Sequence, residues 1–155
     1  MARISFSLYG ETPFQQLLGH NPTIMEAWRR LGEELEKNGL LSSQLKEQVR
    51  RMLAQNNGCE YCKAKGKPEP HLFDEKTSLA VGFAEVFVKQ QRQIEDSLFS
   101  VLKNEFSDAE ISELCAFICF TTASQYFGAM MNLQPNEKMK EDKNEAKQQI
   151  NPHDY

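Results

Sequence analysis

Residues 111–131 read ISELCAFICFTTASQYFGAMM, a stretch in which apolar side chains fall on almost every face of a helix. Such a helix needs neighbours on more than one side, so the chain has to fold as helices packed around it. Its start is marked: Ser107 and Glu110 are spaced for a capping box, and Phe106 stands where it can staple onto Ile111. A small bundle has few places to hide Phe117, Phe120, Tyr126, Phe127, Met130 and Met131 together, which predicts a homo-oligomer.

Helical periodicity recurs upstream. Asn21-Pro22 supplies a cap and a first-turn proline, and Ile24, Ala27, Trp28, Leu31 and Leu35 then repeat at helical spacing until Asn38-Gly39, predicting an amphipathic helix that buries this stripe. A second helix starts at Ser42 or Ser43 and is expected to bury Leu45, Val49, Met52, Leu53 and part of Asn56, stopping at the Asn57-Gly58 turn signal. After a Gly/Pro-rich loop over 66–70, Asp74 can cap a helix carrying Leu79, Ala80, Phe83, Val86 and Phe87. The polar run 89–93 should contain a break, followed by a helix lined by Ile94, Leu98, Val101 and Leu102. Residues 1–19, broken by Pro13 and Gly19, read as an extended arm with a short helical turn. No strand-like alternation persists, so the expected fold is all-α. Its expected organisation is one helical domain over 1–133 and a polar C-terminal tail over 134–155.

The bulk numbers exclude some functions. With 155 residues, 40% hydrophobic and 26% charged, the chain suits a single soluble domain. A net charge of -4 argues against nucleic acid or an anionic membrane as partner. The longest apolar run, 114–120, is too short to span a bilayer, and the N-terminus lacks the pattern of a secretory signal; the expected location is cytoplasmic. Cysteines there are expected to be reduced, metal-bound or catalytic.

The chemistry is concentrated in Gly58-Cys59-Glu60-Tyr61-Cys62-Lys63-Ala64-Lys65, a pair of thiols at CxxC spacing just after a turn and at the start of a short helix. Free N–H groups at a helix start and nearby lysines favour thiolate, and the spacing permits a disulfide, so the first reading is a redox pair; on these grounds the first sulfur, Cys59, is the favoured thiolate. A zinc half-site completed by Cys115 and Cys119 or by His71, or two inert thiols, are the alternatives. Cys115 and Cys119, set among Leu114, Phe117, Ile118 and Phe120, read as small core residues. Glu47 points away from the apolar face of its helix, which predicts a solvated carboxylate paired with Arg50 or Arg51. His71 sits in a loop, and Tyr61 between the cysteines is either a wall of the site or a hydroxyl donor.

The residues SSQLKEQVR (42–50) and AQNNGCEYC (54–62) resemble the carboxymuconolactone decarboxylase superfamily in its AhpD-type alkylhydroperoxidase branch. The likeness covers roughly 24–65. The family motif is a glutamate, eleven intervening residues, a CxxC pair, and a histidine after three more; Glu47, Cys59 and Cys62 fill the first three positions, Gly66 stands at the histidine, and Tyr61 stands where some members carry another. The resemblance implies an AhpD-like helical bundle in trimers or hexamers, with Glu47 as base and no cofactor. It also implies Cys62 as the sulfur that attacks peroxide and Cys59 as its resolving partner, with a lipoylated or thioredoxin-like protein as the dithiol reductant. Proton transfer would then fall to Tyr61, His71 or an ordered water. The decarboxylase branch shares the expected fold but typically lacks the cysteine pair. The rivals are a thiol–disulfide exchange protein without peroxidase activity and a non-catalytic oligomeric scaffold.

Overall fold

The computed structural model describes residues 1–90 and 93–136. All regular structure among them is helical: α1 (Pro13–Leu18), α2 (Pro22–Glu36), α3 (Ser43–Asn56), α4 (Glu60–Ala64), a 3-10 turn (Pro70–Leu72), α5 (Glu75–Lys89), α6 (Asp96–Glu105) and α7 (Asp108–Met130). Local chemistry sets the starts. Side-chain oxygens of Thr12, Asn21, Ser42, Asp74 and Ser107 each accept a first-turn N–H, and Ser107 with Glu110 closes the expected capping box. Within the expected tail, residues 137–155 lie outside the described residues.

Helix α3 is the central element, packed between α5 and α7, with α4 against both α3 and α7. Val49 and Leu53 on α3 and Leu114 on α7 are wholly buried in one cluster with Phe83, Leu102 and Phe117. Burying side chains of this size contributes about 1.5–3 kcal/mol each. Phe106 and Ile111 are buried in the same cluster, as the staple reading requires.

Four expectations fail, each for a geometric reason. On α6, Val101 is 47% exposed because Leu102 beside it takes the inward face, and Ile94 precedes the helix, which starts at Asp96. On α2, Ile24 and Leu31 are 50% and 51% exposed and Ala27 is exposed, because the helix meets the bundle through the adjacent edge. There the Trp28 ring lies 5.4 Å from Phe120, its Nε1 donates to Ser124 Oγ at 3.0 Å, and Gly32 is buried against Phe120. On α7, Cys115 is half-buried and Cys119 exposed rather than both being core. With Phe117, Ile118 and Thr121 turned inward, a rotation of about 100° per residue puts position 119 on the outer side with Ala116 and Ala123. Asn56 is exposed, whereas Asn57 is buried.

Among the described residues, the one long charged side chain in the interior is Lys46, at 1% exposure. Its Nζ donates to Glu113 Oε1 at 2.6 Å and to the Lys37 carbonyl at 2.8 Å, while Glu113 also accepts from the N–H groups of Leu40 and Leu41. This pair ties the α2–α3 connection to α7. Burial raises the Glu113 carboxyl, but donation by Lys46 and the two backbone groups outweighs it and holds the pKa below 4.5. A carboxylate lowered on folding contributes stability that is complete above its unfolded pKa and is lost as pH falls through the folded one. Glu113→Ala, which leaves Lys46 buried without a counter-charge, is expected to cost about 3–5 kcal/mol at pH 7. In chemical denaturation the gap from the parent should narrow as the pH is lowered beneath 4.5.

Candidate active site

Chain reversal at the end of α3 delivers the two cysteines. Gly58 takes a φ of +74°, open to glycine at little cost, and Cys59 then caps α4 with its Sγ accepting the Cys62 N–H at 3.1 Å. The sulfurs are joined as a Cys59–Cys62 disulfide with Cα atoms 5.2 Å apart. A chain of buried amides holds this turn against the bundle: Asn57 Nδ2 donates to Gln125 Oε1 at 2.8 Å, and Gln125 Nε2 donates to the Arg50 carbonyl at 3.1 Å. Because Asn57 and Gln125 are 5% and 3% exposed, losing either partner would strand a polar group away from water.

Helix α7 passes directly over the sulfurs, and it does so at Gly128. A Cβ there would lie 2.6 Å from Cys59 Sγ and 3.6 Å from Cys62 Sγ. The N-terminal segment closes the other side, with Leu17 buried in the cluster that holds both cysteines and Phe14 set edge-on to Phe127 at 5.2 Å. Arg3 N–H donates to the Met131 carbonyl and Tyr61 N–H to the Leu133 carbonyl, fastening the arm and α4 to the chain after α7.

The two sulfurs are not equivalent. Cys59 is fully buried, whereas Cys62 is 9% exposed and lines a cavity of about 280 Å³. The apolar wall comes from Phe14 and Leu18 of α1, Met25 and Trp28 of α2, and Phe120 of α7, while Arg29, Glu33, Glu36, Arg50 and Lys65 supply its charged groups. A neighbouring cavity of about 510 Å³ shares Glu36, Arg50 and Lys65 with the first and is lined by Glu47 as well. Arg50 stands between Glu47 and the disulfide: its Nε and Nη2 donate to Glu47 at 2.7 Å each, and its Nη1 donates to the Cys62 carbonyl at 3.3 Å.

Glu47 makes the pairing expected from helical spacing, with both arginines, Arg51 Nε donating to it at 2.8 Å. Burial raises its carboxyl, but the hydrogen bonds from Arg50 and Arg51 prevail and lower the pKa beneath the ordinary value. Tyr61 is buried and lines the cavity, and burial pushes its hydroxyl pKa up. His71 is exposed on the 3-10 turn and lines neither cavity. At Gly66 φ is +124° and an added Cβ would lie 3.1 Å from Arg51 Cζ, so the backbone leaves no unstrained place for the histidine the resemblance would put there. Among the described residues no three His, Cys, Asp or Glu side chains gather as a metal site, and no helix is long and apolar enough to cross a membrane.

Several residues that shape the site were not singled out from the sequence. Gly128 and Gln125 carry a signal in hindsight, a lone glycine and a lone amide within an apolar helix. Glu36 and the α1 wall carry none, since they meet Cys62 only through tertiary packing.

No family profile and no curated protein matches this chain. Among solved structures, the fold is similar to one described as the alkylhydroperoxidase AhpD core, an uncharacterized peroxidase-related protein from Ralstonia eutropha JMP134. The TM-score is 0.66 at 19% identity, covering 80% of this chain and 76% of that one. The chain thus has the AhpD-like all-helical fold that the local motif implied.

The passage at Gly128 is a steric test of the site. Gly128→Ala is expected to lower stability by about 1–3 kcal/mol through overpacking. Thermal unfolding with and without reductant should show the larger loss in the oxidised protein, where the closed bridge prevents Cys59 Sγ from turning away.

Proposed function

We propose that this protein reduces hydroperoxides through a dithiol–disulfide cycle in which Cys62 is the attacking thiolate and Cys59 resolves it. The observation that carries this reading is the asymmetry of the pair: Cys62 lines the cavity and Cys59 is sealed beneath Gly128. An oxidant entering the cavity meets Cys62 first. Attack of the Cys62 thiolate on the terminal peroxide oxygen releases an alcohol or water and leaves a sulfenic acid. Cys59 then attacks that sulfur, water departs, and the disulfide results.

Reduction runs through the same opening. A dithiol reductant attacks Cys62 Sγ, and Cys59 leaves as a thiolate accepting the Cys62 N–H, a hydrogen bond already made at 3.1 Å. A lipoylated or thioredoxin-like protein is the proposed donor, and no cofactor is required. Glu47, whose carboxylate is held ionised by two guanidinium groups, acts in this scheme by positioning Arg50 at the Cys62 carbonyl. Glu47→Gln should then slow oxidation while leaving the pH of half-maximal rate in place; a displaced midpoint would make Glu47 the proton acceptor. We also propose self-association into a trimer or hexamer through the exposed Ile24, Leu31 and Met130, with a cytoplasmic location.

Stoichiometric hydroperoxide added to the reduced protein should consume two thiols per chain and return the Cys59–Cys62 bridge in peptide mass spectra. Cys62→Ser should abolish peroxide consumption, and Cys59→Ser should allow one turnover that ends in a trappable sulfenic acid. The second reading is disulfide exchange without peroxide turnover, favoured by a Glu47 already committed to arginines. It is the right one if the parent exchanges disulfides with a dithiol but leaves hydroperoxide unconsumed.

A further inference from the structure

Oxidation of Cys62 by a hydroperoxide expels an alkoxide or hydroxide, and that oxygen needs a proton. Three cationic side chains line the Cys62 cavity, and two are already engaged. Arg29 is paired with Glu26 and Glu33, and Arg50 with Glu47. Neither guanidinium releases a proton in a protein. Lys63, also on α4, pairs with Glu60 at 2.9 Å and lines neither cavity.

Lys65 differs from all of these. It lines both cavities and makes no ion pair among the described residues, and its Nζ lies 4.8 Å from the centre of the Tyr61 ring, the residue beside Cys62. Its backbone is fastened one turn past the sulfur: Lys65 N–H donates to the Cys62 carbonyl at 3.3 Å, and its own carbonyl accepts from Arg50 Nη2 at 3.4 Å. The residue as a whole is solvent-exposed, although burial is the largest influence on its amine.

We propose that the Lys65 ammonium is the proton carrier of this site, a catalytic residue that hands its proton to the oxygen leaving as Cys62 is oxidised. The proposal deepens the peroxidase reading and rests on it. In the step, the Cys62 sulfur–oxygen bond forms and the O–O bond breaks; sulfur gives up two electrons and the peroxide takes them. The products are Cys62 sulfenic acid, an alcohol and neutral Lys65 amine, which regains a proton from solvent. Condensation of Cys59 thiol with the sulfenic acid then yields disulfide and water.

The surroundings suit the task. Partial desolvation, and then the Arg50 guanidinium, pull the Lys65 amine below its ordinary pKa, while Glu36 and Glu47 act in the opposite sense. That shift carries a lysine toward the range where an acid transfers its proton readily. Arg29 and Glu33 of α2 and the Tyr61 hydroxyl also face the Cys62 cavity, Lys46 lines the second one, and α7 and α1 with its cap present uncharged Thr121, Ser124, Gln125, Thr12 and Gln15.

The test uses the full reduced chain with Lys65→Arg and Lys65→Met. Two rates are read across pH, consumption of cumene hydroperoxide and alkylation of Cys62 by iodoacetamide. Arginine keeps the charge but cannot yield the proton. Lys65→Arg is therefore expected to alkylate within about twofold of the parent yet lose about 10²-fold or more in peroxide rate, the scale of general-acid catalysis. Lys65→Met should lose peroxide rate at least as severely and shift the Cys62 alkylation profile to higher pH. Peroxide turnover by Lys65→Arg within threefold of the parent would overturn the proton-carrier role. A parent inert to hydroperoxide sinks the peroxidase reading instead. The alkylation profile then decides Lys65 separately, since a profile that Lys65→Met leaves in place removes this side chain from the site.

Discussion

The close passage of α7 over the sulfur pair is the contact on which the rest of the site depends. It requires a residue without a Cβ at 128, where one would stand 2.6 Å from Cys59 Sγ, and it requires the turn after α3 to stay fixed beneath it. The Asn57–Gln125–Arg50 amide chain supplies that second condition by hydrogen-bonding the turn to α7 and α7 to the α3 backbone. A buried polar chain of this kind specifies one arrangement, because any slip of α7 would leave amide groups unpaired in a medium of low dielectric. With Cys59 sealed in this way, Cys62 is the cysteine of the pair that lines the cavity.

Charge around the cavity is distributed with the same economy. Glu47 binds two arginines, Arg50 reaches from it to the Cys62 carbonyl, and Arg51 extends from it to Glu69. The guanidiniums therefore serve as fixed struts, leaving Lys65 and Glu36 as ionisable groups of the cavity without an ion pair within the described structure. Strut and proton carrier are different physical roles, and a lysine beside an aromatic ring suits the second as an arginine does not.

Much of the fold was legible because it is written in short-range chemistry. Caps at Asn21, Ser42, Asp74 and Ser107 and the apolar face of α3 appear where propensity and period place them. Legibility stopped where a residue's surroundings come from distant chain. The stripe on α2 has a clear period, yet Ile24 and Leu31 face outward, since periodicity identifies a face without saying what covers it. Cys119 was misplaced for the related reason that a helix apolar all round does not announce which side is inward.

By itself, the sequence determined that this chain is a set of capped helices presenting a CxxC pair at the turn Asn57-Gly58, because caps, turns and thiol spacing act over a few bonds. Only the tertiary structure decided which cysteine lines the cavity and which is sealed, that Glu47 is spoken for by Arg50 and Arg51, and that Lys65 shares a cavity with Cys62. Those outcomes depend on where α1, α2 and α7 come to rest against α3 and α4. That placement is set by the burial of surfaces far apart along the chain, which no local pattern records.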